Sequence, residues 1–275
     1  MRCQNQILVP AAGVTTNVFC AVAVMMKAPS VGGVKTRLVP PLRPDEAAAL
    51  NICFLRDVTA VIETACAAGL ADGFVAYTPI GQEARFDGVL PRRFRLLPQR
   101  GASLGERLFH AVEDFLAFGY QATCLINSDS PTLPAAVILE AVNALQQPGD
   151  RVVLGPADDG GYYLIAMKRA HLRLFEDIAW STERVLAITL DRAREIALET
   201  KLLPSWYDVD DATSLCRLFQ ELSTTNSEEK TPGYAAPHTR EYLQQLVETD
   251  GGKRLGLSLR AAGDEHIKAA AANKS

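Results

Sequence analysis

The sequence predicts an α/β sandwich with a mostly parallel central sheet. Three observations point there. Short apolar runs such as Val18–Met26 alternate with longer stretches of helical periodicity. The runs are continuous rather than alternating, the pattern of strands buried on both faces. Polar and glycine-rich segments follow the apolar runs directly, where ligands bind in open parallel sheets.

The elements follow in chain order. Val18–Met26 reads as the first strand and 27–38 as its loop. Asp45 to Gly69 reads as a helix, because Leu50, Phe54, Leu55, Val58, Val61, Ile62 and Ala65 recur at helical spacing and Gly69 is a natural stop. Gly73–Thr78 and Phe94–Leu97 read as strands, and Leu104–Phe118 as a helix. Ala122–Asn127 is a buried strand. The helix Pro134–Gln146, with Thr132 expected as its cap, stops at Pro148-Gly149. Arg151–Leu154 and Tyr162–Met167 are strands, and Ser181–Glu199 a helix entered through Ser181 or Thr182. Trp206–Val209 reads as a short strand, and Asp211–Leu222 as a closing helix capped by Asp211. Beyond Ser223 the composition turns polar, with one more helix expected at Tyr242–Val247. Three parts follow: an N-terminal extension over 1–17, a compact unit over 18–222, and a polar C-terminal extension over 223–275, partly helical or mobile.

The 275 residues carry 28 Lys+Arg against 32 Asp+Glu. That balance gives no general attraction to nucleic acid or anionic membranes. The longest apolar run falls well short of the roughly 20 residues a membrane span needs. Six scattered cysteines form no Cys-x-x-Cys pair, and they read as reduced thiols of a cytoplasmic protein. No cleavage site for an export signal is evident.

Five segments can carry chemistry. In 27–38, Gly32-Gly33 admits close ligand approach, and Lys35 and Arg37 set two cations beside backbone donors, as a di- or triphosphate requires. The alternative is a solvated basic turn. Asp129, directly after a buried strand, suits a hard cation bridged to phosphate, or a turn before proline. Asp158-Asp159-Gly160-Gly161 suits a sugar or flat ligand against the backbone, with Asp159 binding a hydroxyl or acting as a base, or else a hairpin turn. In Tyr207–Asp211, strand alternation puts Asp208 and Asp210 on one face, where a cation would offset their repulsion. Gly101, Ser103 and Arg107 flank a helix N-terminus, an anion site or a plain capping box of Ser103 with Glu106. Trp180 is a candidate wall of an acceptor pocket. There is no Walker A loop and no Gly-x-Ser-x-Gly elbow.

Taken in order, Lys27-Ala-Pro, Gly33-Val-Lys-Thr-Arg-Leu38, Leu104-Gly-Glu-Arg107, Ser128-Asp-Ser-Pro-Thr-Leu133, Gly155 to Ile165, Trp180-Ser-Thr182 and Tyr207 to Asp211 resemble the bacterial radical-SAM/selenodomain-associated glycosyltransferase-like family. That family belongs to the GT-A, nucleotide-diphospho-sugar transferase superfamily. The motifs are also similar to those of 2-phospho-L-lactate guanylyltransferase and the molybdenum-cofactor nucleotidyltransferases. The resemblance spans about residues 20 to 222. It implies a Rossmann-like GT-A three-layer sandwich and a nucleotide or nucleotide-sugar held by Lys27, Gly33, Lys35, Arg37, Gly101, Ser103 and Arg107. It further implies Mg²⁺ or Mn²⁺ on Asp129 with Asp208 or Asp210, and a small-molecule acceptor near Gly160, Gly161 and Trp180. Lys35, Arg37 and Asp159 are the expected catalytic groups. Only Asp129 is acidic in Asn127-Ser128-Asp129, a departure from the superfamily's Asp-x-Asp.

Overall fold

The computed structural model describes residues 6–8, 16–223 and 233–256. Its strands are β1 (Cys20–Lys27), β2 (Ala71–Thr78), β3 (Arg95–Pro98), β4 (Ala122–Ile126), β5 (Arg151–Pro156), β6 (Tyr162–Met167) and β7 (Glu199–Leu202). They form one sheet in the order β3-β2-β1-β4-β6-β5-β7. β3, β2, β1 and β4 run parallel to one another, and β6 lies antiparallel to both β4 and β5. This is the expected α/β fold with a mostly parallel sheet.

The helices are α1 (Pro44–Cys66), α2 (Leu104–Ala117), α3 (Ala135–Gln146), α4 (Val185–Glu195), α5 (Ala212–Ser223), α6 (Pro237–Glu248) and the short α7 (Asp250–Leu255). Two cores lie on opposite faces of the sheet. One joins Val58 and Ile62 of α1 to Ile138 and Val142 of α3. The other joins Leu108, Val112 and Phe115 of α2 to Ala193 of α4. β1 passes between them, with Cys20 to Val24 fully buried. That is why its sequence is a continuous apolar run. A third cluster gathers Leu38, Leu50 and Phe54 with Leu215 and Phe219 of α5 and Leu243 and Leu246 of α6.

Several boundaries differ from the sequence reading. The helix expected over Ser181–Glu199 starts only at Val185 and ends at Glu195, because Ala197 takes a left-handed conformation (φ 50°). Glu199–Leu202 then pairs with β5 as an edge strand. Trp206–Val209 forms no strand, only one bridge from Trp206 to Ala157. Thr132 does not cap α3, whose N-cap is Pro134. Its buried hydroxyl instead accepts from Trp206 Nε1 at 3.3 Å. The Ser103 cap of α2 and the Asp211 cap before α5 form as expected.

Within the N-terminal stretch, Ile7 bridges Leu96 of β3, and Leu8 N donates to Leu96 O at 2.7 Å. The rest of 1–15 lies outside the described residues, as do 224–232 and 257–275. The cysteines that are described are free. No helix among the described residues is long and apolar enough to cross a membrane.

Candidate active site

The chain runs from β1 outward to β2 and β3, then returns to the other side of β1 for β4. The connections therefore diverge between β1 and β4, and a crevice opens beyond their carboxyl ends. The loop after β1 delivers Lys35, and the turn after β4 delivers Asp129. Lys35 Nζ lies 2.6 Å from Asp129 Oδ1 and 3.3 Å from Asp210 Oδ1, and donates to Val209 O at 2.6 Å. Its side chain is only 5 % exposed, whereas Arg37, 3.5 Å from Asp210, is 69 % exposed. Lys35 itself is left-handed (φ 50°, ψ 37°), an uncommon state for a residue with a Cβ. Val209 N donates to Asp129 O at 2.9 Å, which ties the 208–211 segment to the β4 turn.

Asp129 and Asp210 of this cluster line two cavities. The first, about 320 Å³, has a mixed lining: Lys27, Gly33, Lys35, Arg37, Arg107, Asp129 and Asp210, together with Asn51, Thr78 and Gln99, and the apolar Met25, Met26, Val34 and Leu104. The second, about 450 Å³, is lined by Asp129, Asp159, Gly161, Trp180 and Asp210 at one end and by apolar side chains beyond. Asp158 turns away to Arg217 at 2.7 Å, so Asp159 is the carboxylate at the cavity. Asp159 Oδ1 also accepts from Gly161 N at 2.9 Å.

Asp208 lines neither cavity. Burial, and then the charges of Asp159, Asp210 and Asp129, push its carboxyl up to about 6. Asp208 thus feels the charge of three other carboxylates. They are hard oxygen donors of the kind Mg²⁺ or Mn²⁺ takes, and their surplus negative charge suits a divalent cation. Yet among the described residues no group of three such side chains is arranged as a ligand set. Asp129, Asp208 and Asp210 are thus not assembled as the expected metal trio. The Lys35 ammonium holds the place between Asp129 and Asp210, and the trio could bind an ion only with that ammonium turned aside.

Three other expected site residues have local structural work and line neither cavity. Ser103 Oγ accepts from Glu106 N at 3.2 Å as the α2 cap. Gly101 (φ 117°) backs onto Glu106, and its carbonyl accepts from Arg107 Nε at 3.1 Å. Gly160 (φ 87°) lies so close to Glu183 that a Cβ would stand 2.1 Å from its carbonyl oxygen. Its carbonyl also accepts from Leu186 N, so Gly160 seats the 180–186 segment rather than a ligand.

A family model described as "Uncharacterized protein conserved in bacteria (DUF2064)" matches residues 61–182. A crystal structure from Desulfovibrio desulfuricans G20, described as a "putative nucleotide-diphospho-sugar transferase", is 30 % identical. The match covers 83 % of this chain and 95 % of that one, with a TM-score of 0.71. The chain belongs to the DUF2064 family.

More distant structures include CMP:2-keto-3-deoxy-manno-octonic acid synthetase complexed with CTP, at 14 % identity over 73 % of the DUF2064 chain and 96 % of the other (TM-score 0.46). A cytidylyltransferase from Leptospira borgpetersenii is 10 % identical over 84 % and 95 % (TM-score 0.48). No curated protein matches the sequence.

The DUF2064 chain also has site residues that the sequence reading did not single out. Asn51 sits on the buried side of α1, and its Oδ1 is buried without a hydrogen-bond partner beside the first cavity. The signal was a lone amide between Leu50 and Phe54 on an apolar stripe. Gln99 directly follows β3, and its Nε2 donates to Ala76 O at 2.7 Å. It obeys the same rule, polar after strand, that marks Asp129.

Proposed function

We propose that this DUF2064 chain is a transferase acting on a nucleotide-activated donor, and that the donor is a nucleotide-sugar. The observation that carries the reading is the Lys35–Asp129–Asp210 cluster standing between a cation-lined cavity and a more apolar one. Two substrates would meet there. The cation-lined cavity would take the nucleotide. Lys35 and Arg37 would offset charge on the departing diphosphate, and Asp159 would receive the acceptor's proton. Mg²⁺ or Mn²⁺, bound by Asp129 with Asp208 or Asp210, would neutralise the diphosphate. The description of the Desulfovibrio relative supports the same reading.

A second reading is nucleotidyl transfer of the guanylyltransferase type, with release of pyrophosphate. Lys27, Lys35, Arg37 and Arg107 all line the first cavity, and four cations suit a triphosphate.

A thermal-shift panel separates the two. A ligand at 100 times its Kd stabilises by about 2.7 kcal/mol. A shift with one UDP- or GDP-sugar, larger with Mn²⁺, is expected. A shift with a nucleoside triphosphate alone would favour nucleotidyl transfer, and no shift with any nucleotide would refute both.

A further inference from the structure

The second cavity is chemically uneven. At its mouth stand Asp129, Asp159 and Asp210. Arg37, Asn127 and Glu183 add polar lining, and the larger part is apolar, with Met25, Leu108, Leu125, Ile165, Trp180 and Val185. Leu108, Leu125, Ile165 and Val185 belong to the buried core, so this lining is fixed by the sheet, α2 and the start of α4. Trp180 meets Tyr162 edge to face, with ring centroids 6.4 Å apart at 79°. Such an aromatic corner receives a flat or cyclic body.

Two hydroxyls of the cavity lining are already engaged, while Tyr162 Oη is sealed in the protein behind it, without a hydrogen-bond partner. Thr182 Oγ1 donates to Ala179 O at 2.7 Å, and Ser128 Oγ to Asp129 Oδ1 at 3.0 Å. A polyol pushed into the apolar depth would bury hydroxyls without partners, which costs affinity for each one. An apolar body there would instead leave water for matching walls.

We propose that this cavity takes an acceptor with an apolar, ring-sized body and one reactive hydroxyl, held with the hydroxyl at the carboxylate mouth. The proposal rests on the glycosyl-transfer reading above and names its acceptor class. The acceptor oxygen bonds to the anomeric carbon as that carbon's bond to the diphosphate oxygen breaks. The nucleoside diphosphate departs with the bonding electron pair. The hydroxyl proton passes to Asp159 and then to solvent.

The test uses the full chain and two sets of probes. UDP and GDP report the first cavity. p-Cresol and benzyl alcohol, against glucose and glycerol, report the second, by calorimetry and by quenching of Trp180 fluorescence referenced to W180F. The expected result is binding of the two aromatic alcohols and not of the polyols. V185F, which fills the cavity, should weaken that binding by about tenfold or more, with nucleotide affinity within about twofold of the parent. Trp180 is half-buried, so W180A serves if V185F does not fold, and it should weaken binding likewise. Nucleotide binding with no aromatic-alcohol binding, or with polyols preferred, overturns the proposal and spares the transferase reading. Absence of all nucleotide binding overturns that reading and the acceptor role with it.

Discussion

Lys35 sits in a left-handed backbone state with its ammonium between two carboxylates, and the side chain is nearly closed off from water. Replacing it by methionine leaves Asp129 and Asp210 without the cation between them. Asp129 and Asp210 are 30 % and 40 % exposed, so solvent absorbs part of the repulsion. Lys35→Met should therefore cost about 1–3 kcal/mol, below the 3–5 typical of a broken buried pair. Transfer should fall by about 10²–10³-fold. Asp129→Asn keeps the volume and removes one repelling charge. It should lose activity as severely while its melting temperature stays within about 3 °C. Steady-state rates and thermal melts on both variants check this, and full turnover by Asp129→Asn would count against the site. Lys35 and Asp129 were legible because each follows an apolar strand in a short polar segment. Asn51 was not singled out, since the apolar stripe of α1 hid its buried polar members. Gly160 was legible as important but not in its reason, which is the closeness of Glu183, 23 residues away.

Elements brought together across long sequence separations were the least legible. α6 begins after Ala236, left-handed and with no side-chain cap of its own. Asp57 of α1 caps it instead, accepting from His238 N at 3.1 Å and Thr239 N at 2.8 Å. Nothing local to 236–239 announces that partner. α7 is tied to α1 in the same way. Arg254 forks onto Glu46 at 2.6 and 3.0 Å and also donates to Pro41 O at 2.8 Å. Burial alone would raise the Glu46 carboxyl, but hydrogen bonds and charge from Arg254 and Arg43 outweigh it and hold the group below its usual range. A lowered folded value means the bridge stabilises fully above the unfolded carboxyl's value of about 4.3 and is lost as pH falls through the folded one. Arg254→Met should thus cost about 1–2 kcal/mol at pH 7, and the gap to the parent should close below about pH 4. Denaturant titrations from pH 7 to pH 3 measure it, and a gap independent of pH would refute the assignment. β7 was misread for a different reason. Glu199–Leu202 is an edge strand made by backbone pairing to β5, and its mostly exposed side chains leave no periodic signature. The central strands β1 and β4 were legible because burial on both faces demands apolar residues throughout.

For the whole molecule, the crevice is set by strand order, and the order follows from one change of winding direction at β1. The parallel half supplies the cations of the first cavity, and the half containing antiparallel β6 supplies much of the apolar wall of the second. The third hydrophobic cluster joins the loop that carries Lys35 to the C-terminal helices, since Leu38 and Leu42 share it with Leu243, Leu246 and Leu255. The C-terminal segment is therefore part of what holds that loop, although its sequence composition reads as a polar extension. Removing everything after Ser223 would expose this cluster. Burying a leucine is worth about 1.5–3 kcal/mol, so losing three costs roughly 5–9 kcal/mol before any relaxation. That is comparable to the 5–15 kcal/mol total stability of an ordinary domain. A chain ending at Ser223 should lose its cooperative melt or show it at a far lower temperature, by calorimetry against the full chain. Leu243→Ala, a milder cut into the same cluster, should cost about 2–5 kcal/mol and keep the melt cooperative. If the shortened chain melted like the full one, Leu38 and Leu42 would owe nothing to α6 and α7. The loop carrying Lys35 would then be held by α1 and α5 alone.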